Sequence, residues 1–277
     1  MTHDSTFNRR QVFGLGLGAA GLATGFGPRA AIAQAATIST PDAAAFGAAK
    51  HGMSVFGDLK YPADFTNFDY VNLKAPKSGA FSTVPSVRAY NQSYQTFNSL
   101  NAYILKGEGA QGMDLTFAPL MVRAFDEPDA MYGLVAQSVA ISDDRLAYRF
   151  TLRPQATFHD GSKLTAHDVA FSLNTLKAKG HPLILQQMRD VVGAEAPDDA
   201  TVVVRFAKGY ARDVPLYVAG LPIFSRAYYT KRPFDESTLD IPLGSGPYKV
   251  GRFEVNRFVE FDRVKDWWGA DLAPMRG

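Results

Sequence analysis

Cysteine is absent from all 277 residues, which rules out disulfides, thiolate metal sites and a cysteine nucleophile. Tryptophan is scarce at two residues and histidine at five, and no histidine follows His181. A Ser-His-Asp arrangement would therefore have to be assembled from scattered residues, and Gly244-Ser245-Gly246 is too short for a nucleophile elbow. An excess of either charge is missing too. Lys and Arg total 29 against 27 Asp and Glu, and setting aside Arg9, Arg10, Arg29 and Asp4 within residues 1–35 leaves 26 of each. That balance offers no footprint for nucleic acid or another polyanion. Internal repeats and low-complexity segments are likewise lacking. What is present, 46% hydrophobic and 12% aromatic residues, suffices for one large core or two modest ones and argues against disorder.

Asn8-Arg9-Arg10-Gln11-Val12-Phe13 opens a long uncharged, glycine- and alanine-rich stretch that runs to Pro28. The small residues of Ala33-Gln34-Ala35 then fit the −3 and −1 positions of a signal peptide cleaved after Ala35, which predicts export to the periplasm. Paired arginines, a weakly hydrophobic middle and Arg29 near the cleavage site resemble a twin-arginine signal. As a membrane span the stretch is short and too rich in glycine. Gly16-Leu17-Gly18-Ala19-Ala20-Gly21 matches the dinucleotide fingerprint G-x-G-x-x-G, but an arginine pair precedes it where a strand is required.

Residues 36–80 read as loop-rich, punctuated by Pro41, Pro62, Pro76 and Gly79. The alternation over Phe81–Val87 predicts a strand, and the mixed periodicity from Leu115 toward Ala136 predicts a helix. Leu146–Leu152 is a half-buried strand, with Tyr148, Phe150 and Leu152 on one face. Phe158-His159-Asp160-Gly161 reads as a strand end and turn. Thr165 with Asp168 forms a capping-box-like start to a helix over 165–179, which Gly180 ends and Pro182 keeps from resuming. Asp198-Asp199 turns into a strand at Thr201–Phe206, and a last β stretch spans Gly244–Arg263. Strands mixed with one strong helix indicate an α/β or α+β protein.

The pairs His159-Asp160 and His167-Asp168 raise the alternative of a periplasmic metal-dependent hydrolase. Their eight-residue repeat fits neither the i, i+4 helical pair nor a short-turn clamp, and each pair has a local role, in a turn and in a cap. Trp267-Trp268 reads as a hydrophobic clasp at a strand end. No cofactor is expected.

Three passages taken together resemble the dipeptide/oligopeptide-binding family of ABC-importer receptors, extracellular solute-binding protein family 5. They are Tyr148–Pro154 with Thr157–Gly161 and Leu164–Val169; Gly244–Val250; and Val259–Arg263 with Trp267-Trp268-Gly269. His51-Gly52, Phe56-Gly57 and Leu115–Ala136 look like its YejA-type branch, so the resemblance covers roughly residues 48–277. It implies a periplasmic-binding-protein type II-like α/β fold of two lobes closing over a ligand, with no catalytic residues. It divides the mature chain into a first lobe (36–122), a small appended subdomain (123–190) and a continuation of the first lobe (191–277). The implied partners are an oligopeptide and a membrane permease, with the receptor a monomer. Ser245 stands where the family usually has threonine. Family members continue well beyond Gly277, so the resemblance also implies a truncated chain lacking the second lobe, with a non-functional relic as a further alternative. Candidate ligand-facing residues are Tyr94, Asn98, the loop Lys106, Gly107, Glu108 and Gly109, and Gln187.

Overall fold

The structure is a computed structural model that describes residues 46–84 and 87–276. The export signal, its cleavage site and the glycine fingerprint lie outside those residues. Among the described residues three antiparallel sheets carry the fold. The first contains β1 (Gly52–Ser54), β2 (Met121–Arg123) and β3 (Ala130–Gly133) in the order β1-β3-β2. The second contains β4 (Ala136–Ile141), β5 (Ala147–Leu152), β6 (Val191–Glu195) and β7 (Thr201–Phe206) in the order β4-β5-β7-β6. Between β5 and β6 run α1 (Ala166–Lys179) and α2 (Pro182–Gln187), and after β7 come α3 (Val214–Ala219) and α4 (Arg226–Thr230). The third sheet is a hairpin of β8 (Tyr248–Glu254) and β9 (Phe258–Arg263). The second sheet takes strands from both sides of residue 190.

Alternation explains β5. Tyr148, Phe150 and Leu152 are buried beside Val202 and Val204 of β7, with Tyr148 opposite Val204 and Phe150 opposite Val202. β7 runs Val202-Val203-Val204, β-branched throughout, which suits a central strand. α1 lays Ala166, Val169, Ala170, Leu173 and Leu176 into the same core. Its start is the expected capping box. The Thr165 hydroxyl donates to Asp168 Oδ2 at 2.9 Å, as does the Thr165 amide. Gly180 closes the helix in extended geometry, its amide donating to Leu176 O at 2.9 Å. Pro182 does more than stop α1: it is the first residue of α2, where a missing N–H costs nothing, and His181 Nδ1 caps that helix by accepting from Leu183 N at 3.2 Å.

Two expected elements are not found among the described residues. Phe81–Val84 pairs with no strand among the described residues, and Phe81 is 90% exposed. Its alternation has no neighbouring strand to cover it, and Pro85 removes a ladder donor. The helix expected over 115–136 is instead a 3₁₀ turn at Met113–Thr116 followed by β2, β3 and the start of β4. Pro119 and Pro128 interrupt that span, and Asp126-Glu127-Pro128-Asp129 makes the turn of the β2–β3 hairpin, with Asp129 at φ 48°. Residues 60–69 are fastened to that turn: Lys60 Nζ and Tyr61 OH both donate to Asp126 Oδ2 at 2.6 Å, and Tyr132 OH donates to Glu127 Oε2 at 2.6 Å.

The loop Gly244–Pro247 ties distant pieces together. Ser245 N and Gly246 N donate to Thr116 O at 3.0 and 2.9 Å, and Ser245 Oγ, fully buried, accepts from Ala118 N at 3.1 Å. His159 Nε2 donates to Gly246 O at 2.9 Å. Both indole N–H groups, of Trp267 and Trp268, donate to Ser245 O, at 2.8 and 3.2 Å, so the expected clasp is hydrogen-bonded as well as apolar. A Cβ on Gly244 would sit 2.2 Å from Thr116 O and one on Gly246 2.6 Å from Leu115 O, so only glycine allows this approach.

Candidate functional site

Segment 91–101 crosses segment 105–110 above a small core of Phe97, Leu100, Ala102, Ala110, Met113 and Val250. Asparagine side chains take the place of a regular ladder. Asn98 N donates to Glu108 O at 2.9 Å, and Glu108 N donates back to Asn98 Oδ1 at 2.8 Å. Asn91 Nδ2 donates to the carbonyls of Asn101 and Lys106, both at 3.1 Å. Gly109 N donates to Asn91 O at 3.1 Å and Ala110 N to Ser99 O at 2.8 Å. The Thr96 hydroxyl donates to the Glu108 carboxylate. Gly107 has φ 76°, and a Cβ there would meet Ser237 Oγ at 2.5 Å. Gly109 has ordinary backbone but no room, since a Cβ would lie 2.5 Å from Asn91 Oδ1.

A strap formed by residues 234–238 holds the crossing from one side. Asn101 Nδ2 donates to Phe234 O at 2.7 Å, Leu100 N donates to Thr238 O at 2.7 Å, and Lys106 Nζ pairs with Glu236 at 2.8 Å. The Glu236 hydrogen bond raises the Lys106 ammonium above its ordinary range. From the other side Asn256 Oδ1 accepts from Phe97 N at 3.1 Å.

Of the seven residues singled out from the sequence, Asn98 and Lys106–Gly109 therefore meet directly. Tyr94 lies on the same segment, half exposed, with the Arg88 guanidinium 5.8 Å from its ring centroid. Gln187 is exposed at the end of α2, and among the described residues its side chain makes no hydrogen bond to the crossing. Residues the sequence reading missed are Asn91, Asn101, Glu236 and Asn256; the one available signal was the density of asparagine at 91, 98 and 101. The surface offers a paired ammonium and carboxylate, a carboxamide, a half-exposed tyrosine and the 65%-exposed side chain of Leu105. Such a mixture suits hydrogen bonding to a polar chain flanked by an apolar contact.

The His-Asp pairs have separate partners. His159 holds Gly246, and Asp160 Oδ1 accepts the Ser162 hydroxyl at 2.6 Å in the turn it builds. Asp168 is buried at the start of α1, and His167 lies 3.5 Å from Asp199. Among the described residues no group of three or more His, Asp and Glu is placed to hold a metal. No helix among them is long and apolar enough to cross a membrane.

Among the described residues the arrangement is an antiparallel sheet carrying α1, with the β8–β9 hairpin as a separate sheet. NikA from Brucella suis, solved with Fe(III)-EDTA, shares the fold with a TM-score of 0.52 at 21% identity, over 65% of this chain and 36% of that one. The fold class is α/β, periplasmic-binding-protein type II-like. Residues 130–276 match the bacterial extracellular solute-binding proteins, family 5 Middle, and the chain belongs to that family. Within it the chain is YejA-like. A binding protein of Brucella melitensis is 36% identical over 278 residues, covering 97% of this chain and 42% of the relative. Two proteins of Agrobacterium fabrum are each 33% identical, over 80% of this chain and 36% of their own length: "Probable peptide-binding protein YejA" and "Peptidoglycan-binding protein YepA". The chain thus spans less than half the length of these relatives.

Proposed function

We propose that this chain serves as a periplasmic solute receptor of a bacterial ABC importer, binding oligopeptides and passing them to a membrane permease. The observation that carries this reading is the 33% identity to a relative named as peptide-binding, over 80% of the chain. The likeness to a peptidoglycan-binding relative supports a second reading, in which the peptides are fragments of cell-wall cross-links. Residues 36–122 and 191–277 contribute the first lobe in this proposal. The unit of 123–190 is the appended subdomain, with its sheet continued by β6 and β7. The signal over residues 1–35 and the twin-arginine route belong to the same reading.

The ligand surface proposed is the crossing of 94–98 with Lys106–Gly109, with Gln187 at its margin. Backbone and carboxamide groups there would bind the peptide main chain, largely through water-tolerant contacts that permit varied side chains.

Photo-crosslinking tests it at millimolar peptide. A tri- to octapeptide pool bearing benzophenone, and a matching pool of cell-wall stem peptides, should label residues 91–109. Lys106→Ala should reduce that labelling with little change in stability, since its ion pair is exposed and screened by water. Labelling spread evenly over the chain, or unaffected by Lys106→Ala and Asn98→Ala together, would remove the site.

A further inference from the structure

α1 turns one side into the core and leaves the other without a covering element among the described residues. Phe171, Thr175 and Lys179, four residues apart, form a ridge along that outer side. Two grooves flank it and share all three residues. The first, of 430 Å³, lies between α1 and the edge of β6 and includes His167, Ala178, Glu195 and Arg226. The second, of 460 Å³, lies toward α4 and includes Tyr229, Lys231, Arg232 and Phe234. A ridge with four-residue spacing between two grooves is the kind of surface on which a second helix packs, its own rows of side chains filling the grooves.

An extended peptide is a poorer fit. β6 is an outer strand of its sheet, and its edge borders the first groove. At Ala194 that edge is already occupied: Asn174 Nδ2 donates to Ala194 O at 2.8 Å, and Ala194 N donates to Asn174 Oδ1 at 3.1 Å. An added strand would have to displace this carboxamide to continue the ladder.

Charge selects the partner's flank. The lining residues include four permanent cations, Lys179, Arg226, Lys231 and Arg232, and one carboxylate, Glu195, which lies 3.8 Å from Arg205. Lys179 pairs with Asp235 at 3.0 Å and Arg232 approaches Asp240 at 3.9 Å. Arg226 and Lys231 have no ion-pair partner among the described residues. Between these cations Phe171 and Tyr229 stack at 6.5 Å, giving the grooves an aromatic wall. We propose that the outer face of α1 docks an amphipathic helix of a partner protein, with apolar side chains in the two grooves and carboxylates along its flanks. A flat anionic lipid surface would satisfy the cations but leave both grooves unfilled.

The probe is a synthetic helix of about 20 residues, three turns of which span the ridge, with leucine in the apolar stripe and glutamate on both flanks. A control peptide carries lysine in place of glutamate. Fluorescence anisotropy with the full chain should give saturable binding of the acidic peptide, at least about tenfold tighter than the basic one and weaker at higher salt. Hydrogen exchange should show protection limited to residues 167–179 and 226–234. Arg226→Glu with Lys231→Glu should abolish binding. Ala178→Glu, a single exposed substitution within the first groove, should weaken it independently should the double variant fold poorly. Equal binding of both peptides, or no saturation below about 1 mM, overturns the proposal. So does binding of phosphatidylglycerol vesicles that needs Arg226 and Lys231 while the acidic peptide fails to bind.

Discussion

The carboxylate of Asp168 on α1 accepts the backbone N–H of Arg226, the first residue of α4, through Oδ1 at 2.9 Å. Its other oxygen accepts the amide and hydroxyl of Thr165, both at 2.9 Å. One buried carboxylate thus supplies the N-termini of two helices, reaching from Asp168 to Arg226 across 58 residues of sequence, where free amides and the helix dipole both favour negative charge. Ser172 reinforces the junction, its hydroxyl accepting from Phe224 N at 2.7 Å and donating to Asp168 O at 2.6 Å.

Asp168→Ala should cost about 3 kcal/mol, because it strips two amides and a hydroxyl of a charged acceptor at once. Thr165→Ala should cost about 1 kcal/mol, the usual loss at a helix cap. Urea denaturation compares them. Equal costs would mean that the link to α4 contributes nothing.

Acid should loosen the Gly244–Pro247 junction through His159. Burial lowers the His159 pKa from its ordinary 6.5, and this outweighs the opposing hydrogen bond to Gly246. The unfolded chain then binds more protons than the folded one as pH falls below about 6.5, so stability declines across that window toward the lower folded value. His159→Gln should flatten the thermal midpoint between pH 7 and pH 5, relative to the parent chain, by removing the proton uptake. An unchanged slope in the variant would assign the acid sensitivity elsewhere, with His181, also lowered by burial, as the next group to replace.

Gly246→Ala should be far more damaging than Gly161→Ala. The first forces a Cβ to within 2.6 Å of Leu115 O and 2.7 Å of the Thr116 carbonyl carbon, both rigid backbone. The second meets nothing within 4 Å and pays only for φ 83°, about 1 kcal/mol. Thermal denaturation of the two variants should separate them clearly, and equal midpoints would contradict the close packing.

Asn174→Ala should expose the β6 edge. Two hydrogen bonds are lost, at a cost of about 1–2 kcal/mol, and Ala194 becomes free to pair with another strand. Light scattering should then detect self-association at concentrations where the parent chain has none. A variant that lost stability but stayed at the parent's size would show that the twist of the sheet, and not Asn174, protects this edge.

The parts of the fold that were readable in the sequence are those where one local signal dominates. β5 and β7 follow from alternation, and α1 from the Thr165 box, the spacing of Val169, Leu173 and Leu176, and Gly180. Phe81–Val84 misled because alternation describes a face and cannot supply a partner strand. The span 115–136 misled because two-residue and four-residue periods overlap in strands only three to six residues long, and the prolines that divide them were the better guide. At the candidate site the pairing of Asn98 with Glu108 was partly readable through proximity in sequence. Glu236 and Asn256 were not, since each arrives from more than 120 residues away, and nothing local marks a side chain chosen for such a meeting.

The junction at Ser245 also sets an order of events during synthesis. Ala118 waits for a partner 127 residues further along the chain, and Ser245 in turn accepts from Trp267, 22 residues later. At ribosomal speeds of about 5–20 residues per second, that interval is on the order of ten seconds. Throughout it the Thr116 carbonyl and the Ala118 amide lack the Ser245 and Gly246 groups that later satisfy them. The second sheet, whose strands all lie within residues 136–206, needs none of those later residues for its ladder. It can form while the rest is still being made, leaving closure of the long loop as the slow step of folding.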